Sequence, residues 1–226
     1  MDLENRLQEL EKELNELRLH ASISSELRGD RHLCHSCTSK ATNFPKRIIL
    51  IRHGESHGNV SEAVYTNTPD WKVPLTIKGN EQAVEAGKKV KSIIQDESIA
   101  VYCSPYLRTK QTLLGVMTQL QSNPVISARE EPRLTEQQFG NFQKGEDMSR
   151  YKKERNRFGR FYYRFPQGES GLDVYDRVSL FIGTLFRSGS SMCIFICVVY
   201  KYYILHQFIL NVYVLCFIPY ICISYL

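Results

Sequence analysis

The sequence predicts an α/β protein whose central sheet is mostly parallel. From residue 46 onward, short apolar runs alternate with segments of helical periodicity, the order expected when helices connect parallel strands. Residues 48–51 form an unbroken apolar run, which is typical of a strand covered on both faces. The 226 residues and 42% hydrophobic content are enough for one domain with a substantial core.

Residues 1–20 are predicted to form an amphipathic helix. Leucines at positions 3, 7, 10, 14 and 17 alternate spacings of four and three residues, as in a heptad repeat. Two interpretations stay open, a helix packed on its own domain or a dimer contact through residues 3–17. Residues 21–45, rich in Ser and Thr and ending at Pro45, are predicted to be a linker.

Residues 46–191 are predicted to form the main domain. After the first strand, a helix begins behind Thr76, a candidate N-cap, and its apolar face holds Ala83, Ala86, Val90 and Ile93. Residues 99–103 predict a second strand, ended by Pro105, and a helix containing Leu107, Leu114 and Met117 follows. Residues 125–142 are predicted to be extended or loop, and residues 146–164 and 172–187 to be helices.

Charge and cysteine content indicate the kind of binding partner and the cellular compartment. The net charge of +5 is concentrated in residues 144–164, where eight basic residues accompany three acidic ones. Such a patch favours an anionic partner, either a phosphorylated metabolite, a phosphoprotein or nucleic acid. The odd number of cysteines, seven, and the lack of an apolar signal core near the start predict a reduced cytoplasmic protein, with the nucleus as the alternative.

A Cys-x-x-Cys pair at residues 34–37 lies beside two histidines. It lacks the second half-site that would close a zinc site, so we expect a loop and no bound metal.

Two predicted strands each carry an arginine to the sheet edge where ligands bind. Arg52 ends the first strand and Arg108 follows the second, and ligands of open parallel sheets bind beyond the carboxyl ends of the strands. Two planar guanidinium groups would neutralise a phosphoryl group during its transfer. His53 would then attack phosphorus as a neutral imidazole, if a carbonyl held its other nitrogen and an acid protonated the leaving oxygen.

The segment "EPRLTEQQFGNF", residues 131–142, offers that acid. Glu131 and Glu136 are both candidates, and burial beside other carboxylates would keep one of them protonated at neutral pH. Chemistry alone does not choose between the two.

Five ordered motifs resemble those of the histidine phosphatase, or phosphoglycerate-mutase-like, superfamily, and within it the plant phosphoglycerate-mutase-like phosphatases. They are "RHGESHGN" at 52–59, "PLTIKGNEQA" at 74–83, "SPYLRTKQT" at 104–112, "RLTEQQFGNF" at 133–142 and "FPQGES" at 165–170. The resemblance implies a three-layer α/β fold and a phosphomonoesterase that needs no metal or cofactor. Its substrate would be a phosphorylated small molecule or a phosphoprotein, and no nucleic-acid partner is expected.

The resemblance also implies roles for particular residues. His53 would be the phosphorylated nucleophile, and Arg52 and Arg108 would clamp the phosphate. Asn59 would contribute a phosphate-facing amide, and Glu136 would donate the proton to the leaving group. Glu131 has no counterpart in the family pattern.

The resemblance ends after residue 187. Family members continue with an apolar strand and a Ser-His-Gly motif, whereas residues 192–226 contain one charged residue, Lys201, and one histidine, His206, without an adjacent glycine. We therefore expect a C-terminally truncated domain that lacks a central strand and the second active-site histidine. Loss of one such polar group lowers the rate by about a hundred- to a thousandfold.

Three interpretations compete for the apolar tail, residues 192–226. Its run "CIFICVV" would form a substitute strand, or residues 208–226, 19 in number, would anchor the chain in a membrane. Alternatively the tail is translated intron sequence, which its abrupt bias toward Ile, Tyr, Phe, Cys and Leu favours. The rival to an enzyme is a non-catalytic phospho-ligand binder or regulatory fragment that retains Arg52 and Arg108.

Overall fold

The computed structural model describes residues 47–187, 193–198 and 220–223, together with residues 12 and 16. The strands in these ranges are β1 (Arg47–Arg52), β2 (Ile99–Cys103), β3 (Val125–Glu130), β4 (Cys193–Val198) and β5 (Tyr220–Ile223). The helices are α1 (His57–Val60), α2 (Ile77–Ile94), α3 (Leu107–Met117), α4 (Gly145–Phe158) and α5 (Gly171–Arg187). Short 3-10 turns cover Glu62–Thr66, Asp70–Lys72 and Pro132–Leu134.

The five strands form one sheet in the order β3-β2-β4-β1-β5, and every pairing is parallel. All carboxyl ends therefore lie at one edge of the sheet. The predicted fold class, α/β with a mostly parallel sheet, is confirmed.

Strand β4 occupies the central position that the sequence argument expected to be vacant. Cys193 pairs with Arg47 of β1 and with Ile99 of β2. The expectation of a missing central strand is therefore wrong, and residues 193–198 of the run "CIFICVV" form a strand. The physical reason is that an apolar, Ile- and Val-containing run without breakers suits a strand covered on both faces, whatever motif follows it.

The two faces of the sheet carry different helices. Ile99, Val101 and Cys103 of β2 belong to a buried core formed with α2 and α3. Tyr102, between them, contacts Phe181 of α5 edge-to-face, with ring centroids 5.2 Å apart. Because successive side chains of a strand point to opposite faces, α5 lies on the face opposite to α2 and α3, which gives three layers.

Helix α2 begins as predicted at Thr76, whose hydroxyl accepts a hydrogen bond from the amide of Gly79 at 3.0 Å. The helix packs closely on α3, because a Cβ built at Gly115 would lie 2.6 Å from the Cβ of Ala83. Ile94 is fully buried in this contact, and Ile93 of the predicted apolar face is only partly buried.

The prediction of a helix over 146–164 is wrong beyond Phe158. Helix α4 ends there because Gly159 takes a φ of +113°, a conformation that a helix cannot continue and that glycine adopts at little cost. Residues 159–164 are turn and loop.

Several predictions concern residues that the structure does not describe. These are the Cys-x-x-Cys pair, the linker, residues 208–219 and most of the heptad segment, in which residues 12 and 16 are helical. Within the described ranges, no helix is both long and apolar enough to span a bilayer. The dimer contact and the membrane anchor stay predictions, and four residues of the latter segment form β5.

Candidate active site

His53 lies directly after β1, at the carboxyl edge of the sheet, and is 4% exposed. Its Nδ1 is 2.6 Å from the carbonyl oxygen of Gly54. With the proton on Nδ1 donated to that carbonyl, the lone pair lies on Nε2. Burial, together with the charges of Arg108 and Arg52, lowers the pKa of His53 from 6.5 to about 3. The imidazole is therefore neutral at physiological pH, which is the form that a nucleophile requires.

The loop that carries His53 is held by close backbone packing. A Cβ at Gly54 would overlap the main chain of Gly79 at the start of α2. Only glycine at position 54 allows this approach. The carbonyl of Glu55 continues the contact by accepting from the amide of Thr76 at 2.9 Å.

Arg108 is 1% exposed and reaches the same edge from the first turn of α3. Its NH1 donates to the carboxylate of Asp70 at 2.8 Å and to the main-chain carbonyl of Asp70 at 2.7 Å. Its NH2 donates to Glu136 at 2.8 Å, and its guanidinium lies 4.8 Å from the ring centroid of Tyr106. Arg108 is thus a buried cation held between Asp70 and Glu136, and its role as a phosphate clamp stays a prediction.

Arg52 and Asn59 lie on the strand end and on the short helix α1. The Nε of Arg52 is buried and has no hydrogen-bond partner among the described residues. The side-chain carbonyl of Asn59 accepts from the amide and the hydroxyl of Ser56, both at 2.9 Å. These bonds fix the side-chain amide of Asn59, and its predicted role toward phosphate stays a prediction.

The structure gives the two candidate acids, Glu131 and Glu136, different surroundings. Glu131 accepts from its neighbour Arg133 through both carboxylate oxygens, at 2.7 Å each, and also caps the 3-10 turn. Hydrogen bonds from Arg133 lower the pKa of Glu131, so it is ionised. Burial raises the pKa of Glu136, against the opposing charge of Arg108 and with a contribution from Asp70. The surroundings of Glu136 therefore favour its acid form more than those of Glu131 do, and the role of Glu136 as proton donor stays a prediction.

Arg177 supports the loop that carries Glu136 through hydrogen bonds to its main chain. Arg177 of α5 donates to the carbonyl of Arg133 at 2.7 Å and to the carbonyl of Glu136 at 3.2 Å. It is itself held by the carboxylate of Glu169 through two bonds of 3.0 Å. Glu169, in the motif "FPQGES", therefore supports the main chain of Glu136 through Arg177.

Strand β4 ends between β1, which leads to His53, and β2, which leads to Ser104. Val198 pairs with Arg52, and Cys197 pairs with Cys103, the residue before Ser104. The buried hydroxyl of Ser104, like the Nε of Arg52, lacks a hydrogen-bond partner within the described part of the chain. His206 lies outside the described residues, and the absence of a second histidine stays a prediction.

Sequence reasoning missed Asp70 and Tyr106. Asp70 lies in "NTPDWK", a segment with no chemical motif, and reaches Arg108 only because the chain folds back over α3. Tyr106 stands inside the "SPYLRT" motif, but its contact with the guanidinium depends on the turn before α3. No group of three or more His, Cys, Asp or Glu side chains suited to a metal occurs among the described residues.

A parallel α/β sheet with a neutral histidine and two arginines at its carboxyl edge fits a protein that handles phosphoryl groups. Comparison with known families is consistent with this class. Residues 48–203 match the sequence pattern of the histidine phosphatase superfamily (branch 1). The chain therefore belongs to this superfamily. The matched range includes β4.

The chain is similar to two Arabidopsis thaliana proteins, each 51% identical to it. Phosphoglycerate mutase-like protein AT74H aligns over 64% of this chain and 54% of its own length, and phosphoglycerate mutase-like protein AT74 over 64% and 48%. The chain thus spans about half the length of these relatives. The broad-range acid phosphatase DET1 of Saccharomyces cerevisiae is 28% identical over 63% of this chain and 70% of its own length.

Solved structures share the fold. A putative alpha-ribazole-5'-P phosphatase from Escherichia coli superposes with a TM-score of 0.51 at 23% identity, over 67% of this chain and 72% of the other. YhfR from Bacillus stearothermophilus gives a TM-score of 0.51 at 22% identity, over 66% and 72%. The phosphoglycerate-mutase-like fold expected from the motifs is therefore confirmed.

Proposed function

We propose that this protein is a metal-independent phosphomonoesterase that works through a phosphohistidine at His53. The observation that carries the proposal is the state of His53, whose Nδ1 is bound to the carbonyl of Gly54 and whose pKa is lowered to about 3. A buried, neutral imidazole flanked by two guanidinium groups is suited to attack an anionic phosphoryl group.

In the first step, the lone pair of His53 Nε2 forms a bond to phosphorus as the bond from phosphorus to the leaving oxygen breaks. The carboxyl group of Glu136 gives its proton to that oxygen, which leaves as an alcohol. Arg52 and Arg108 stabilise the charge on the non-bridging oxygens of the transferred group.

In the second step, water attacks the phosphohistidine. The Glu136 carboxylate takes a proton from the water as the new phosphorus–oxygen bond forms and the phosphorus–nitrogen bond breaks. Inorganic phosphate leaves, and both His53 and Glu136 return to their starting protonation states.

The substrate proposed is a phosphorylated small molecule or a phosphoprotein. The relative named an acid phosphatase supports hydrolysis over isomerisation, and no dedicated phosphoglycerate pocket is evident in the sequence. The basic helix α4 and the residues after it, through Arg155, Arg157 and Arg160, would steer an anionic substrate toward the site.

We propose further that activity is impaired in this chain because residues 188–226 contain no Ser-His-Gly motif. Sequencing transcripts across the codons for residues 188–192 tests the origin of the tail. Splicing into a strand followed by Ser-His-Gly in most transcripts would identify this chain as a side product. A dominant message that encodes the tail would contradict the intron interpretation.

The rival proposal is a phospho-ligand binder that does not turn over. It is supported by the buried Nε of Arg52, which has no hydrogen-bond partner among the described residues and would donate to a phosphate oxygen without any turnover. Such a protein would bind inorganic phosphate and would release none from an ester.

Rapid-quench labelling with a radiolabelled phosphate ester separates the two. We expect acid-labile, base-stable label on the wild-type protein and none on His53→Ala. His57→Ala, a change at an exposed histidine four residues further on, is the matched control and should label normally. Phosphate binding without label in the wild type, or label retained by His53→Ala, would contradict the phosphohistidine.

A further inference from the structure

Arg108 is bound on both sides of its guanidinium by acidic groups. The carboxylate and the carbonyl of Asp70 both accept from NH1, at 2.8 and 2.7 Å, and the carboxyl group of Glu136 accepts from NH2 at 2.8 Å. Asp70 thus makes the more extensive contact, and it uses the nitrogen that Glu136 leaves unoccupied.

The two carboxyl groups have different roles in the proposed chemistry. Glu136 has to release NH2 of Arg108 to protonate the leaving oxygen, and NH2 then donates to the phosphoryl group. An arginine that lost its only acidic partner at that moment would be free to move with its long side chain. Asp70 has no part in the proposed proton transfer, so its two bonds to NH1 would hold the guanidinium group during that step.

We propose that Asp70 is a positioning residue for phosphoryl transfer, holding Arg108 in place while Glu136 exchanges its proton and favouring the acid form of Glu136 by its negative charge. This inference rests on the proposed function.

The charges around Glu136 come from several elements. Arg108 of α3 and Arg52 of β1 lower the pKa of Glu136, whereas burial and the carboxylate of Asp70 raise it. The phenols of Tyr65 and Tyr106 lie in the same cluster and stay neutral, because burial raises the pKa of Tyr65 to about 12 and that of Tyr106 further. Arg177 contacts the main-chain carbonyl of Glu136. Asp70 is thus the group whose negative charge opposes the two arginines.

Removal of that charge would leave two guanidinium groups acting on Glu136. Its carboxyl group would then ionise at lower pH, and less of it would carry a proton at neutral pH. The smaller protonated fraction of Glu136 slows a substrate more when its leaving oxygen is more basic. A phenolate with electron-withdrawing groups leaves without protonation, whereas an alkoxide needs a proton.

The test is Asp70→Asn, which keeps the size of the side chain and the main-chain contact but removes the charge. Rates are measured against pH with an alkyl phosphate and with p-nitrophenyl phosphate. We expect kcat for the alkyl phosphate to fall about tenfold near neutral pH, a part of the roughly hundred- to ten-thousandfold that a general acid contributes, and the fall with p-nitrophenyl phosphate to be smaller. The alkaline limb of the alkyl phosphate profile should move to lower pH.

Two further variants serve as controls for the loss of charge at Asp70. Asp96→Asn makes the same chemical change at an exposed aspartate paired with Lys91 and should leave both profiles unchanged. Asp70→Glu keeps the charge and should restore the alkaline limb, while thermal unfolding verifies that each variant folds. Equal losses with both substrates, or identical profiles for Asp70→Asn and Asp70→Glu, would overturn the proposal.

A binding measurement separates failure of this inference from failure of the proposed function. In a His53→Ala background, which has no turnover, calorimetry follows the affinity for inorganic phosphate as pH rises and Glu136 ionises. The loss of affinity should begin at lower pH when Asp70→Asn is added. An unchanged onset overturns the role of Asp70, whereas absence of label on the wild-type protein overturns the phosphohistidine alone.

Discussion

The amide of Gly54 donates a hydrogen bond to the hydroxyl of Thr112 at 3.1 Å, and that hydroxyl donates to the carbonyl of Arg108 at 2.7 Å. Thr112 is fully buried. A single side chain thus ties the loop after His53 to the turn of α3 that carries Arg108. The spacing between the candidate nucleophile and the candidate phosphate clamp depends on this link.

Replacement of Thr112 by Val keeps the shape and removes the link. The buried amide of Gly54 would lose its partner, which costs about 1–3 kcal/mol in the free energy of unfolding. We expect that loss in chemical denaturation, together with a lower rate of phosphoryl transfer. Thr118→Val is the control, because Thr118 makes the same kind of bond to a carbonyl within α3 but is exposed. Equal destabilisation by the two changes would contradict the role of Thr112.

Replacement of Glu136 by Gln removes the proton that the leaving oxygen needs. General acid catalysis contributes about a hundred- to ten-thousandfold, so hydrolysis of an alkyl phosphate should fall within that range. The alkaline limb of its pH profile should disappear, because the group that titrates there is gone. Glu81→Gln, on the exposed face of α2, should leave the rate and profile intact. A retained alkaline limb in Glu136→Gln would assign the acid elsewhere.

The buried state of His53 predicts that stability falls with acidification. Its pKa is 6.5 in the unfolded chain and about 3 when folded, so between these values the unfolded chain binds a proton that the folded protein does not. Stability from this source is complete above the unfolded value and falls as pH drops toward the folded one. Between about pH 7 and about pH 5 this amounts to roughly 2 kcal/mol.

The measurement compares urea unfolding of the wild-type protein and His53→Gln over that pH range. On acidification from about pH 7 to about pH 5, the free energy of unfolding should fall less in His53→Gln than in the wild type, by about the amount that binding of one proton to the unfolded chain contributes. The absolute stability of the variant will differ. His57→Gln, at an exposed position, should follow the wild type. Parallel pH dependence of the wild type and His53→Gln would show that His53 is protonated in the folded protein.

The contact between α2 and α3 predicts an asymmetric response to alanine at two glycines. A Cβ at Gly115 would press on Ala83, so Gly115→Ala should cost about 1–3 kcal/mol through overpacking, less the gain in helix propensity. Gly145 begins α4 with open space around its Cα, and Gly145→Ala should be neutral or stabilising. Melting temperatures measure both, and stabilisation by Gly115→Ala would contradict the close packing.

Much of the site was visible in the sequence because its chemistry lies next to strand ends. Arg52 and His53 follow an apolar run, and Arg108 follows the turn after a second one, so their meeting is a consequence of parallel strands. From chemistry alone Glu136 could be predicted only together with Glu131, since a carboxyl group's protonation state depends on its burial and neighbours, and the family resemblance was needed to favour Glu136. Asp70 could not be proposed, because its contact with Arg108 joins segments 38 residues apart through a turn without a motif.

The sequence by itself determined the α/β class, the order of its elements and the residue types that meet at the sheet edge, because hydrophobic periodicity and strand ends are local properties. Only the tertiary structure decided that residues 193–198 fill the centre of the sheet, because any apolar run of suitable length can pair there. It also gave Glu136 and Glu131 different surroundings and placed Asp70 against Arg108. Burial and charge at a carboxyl group are sums over distant segments, which no local pattern records.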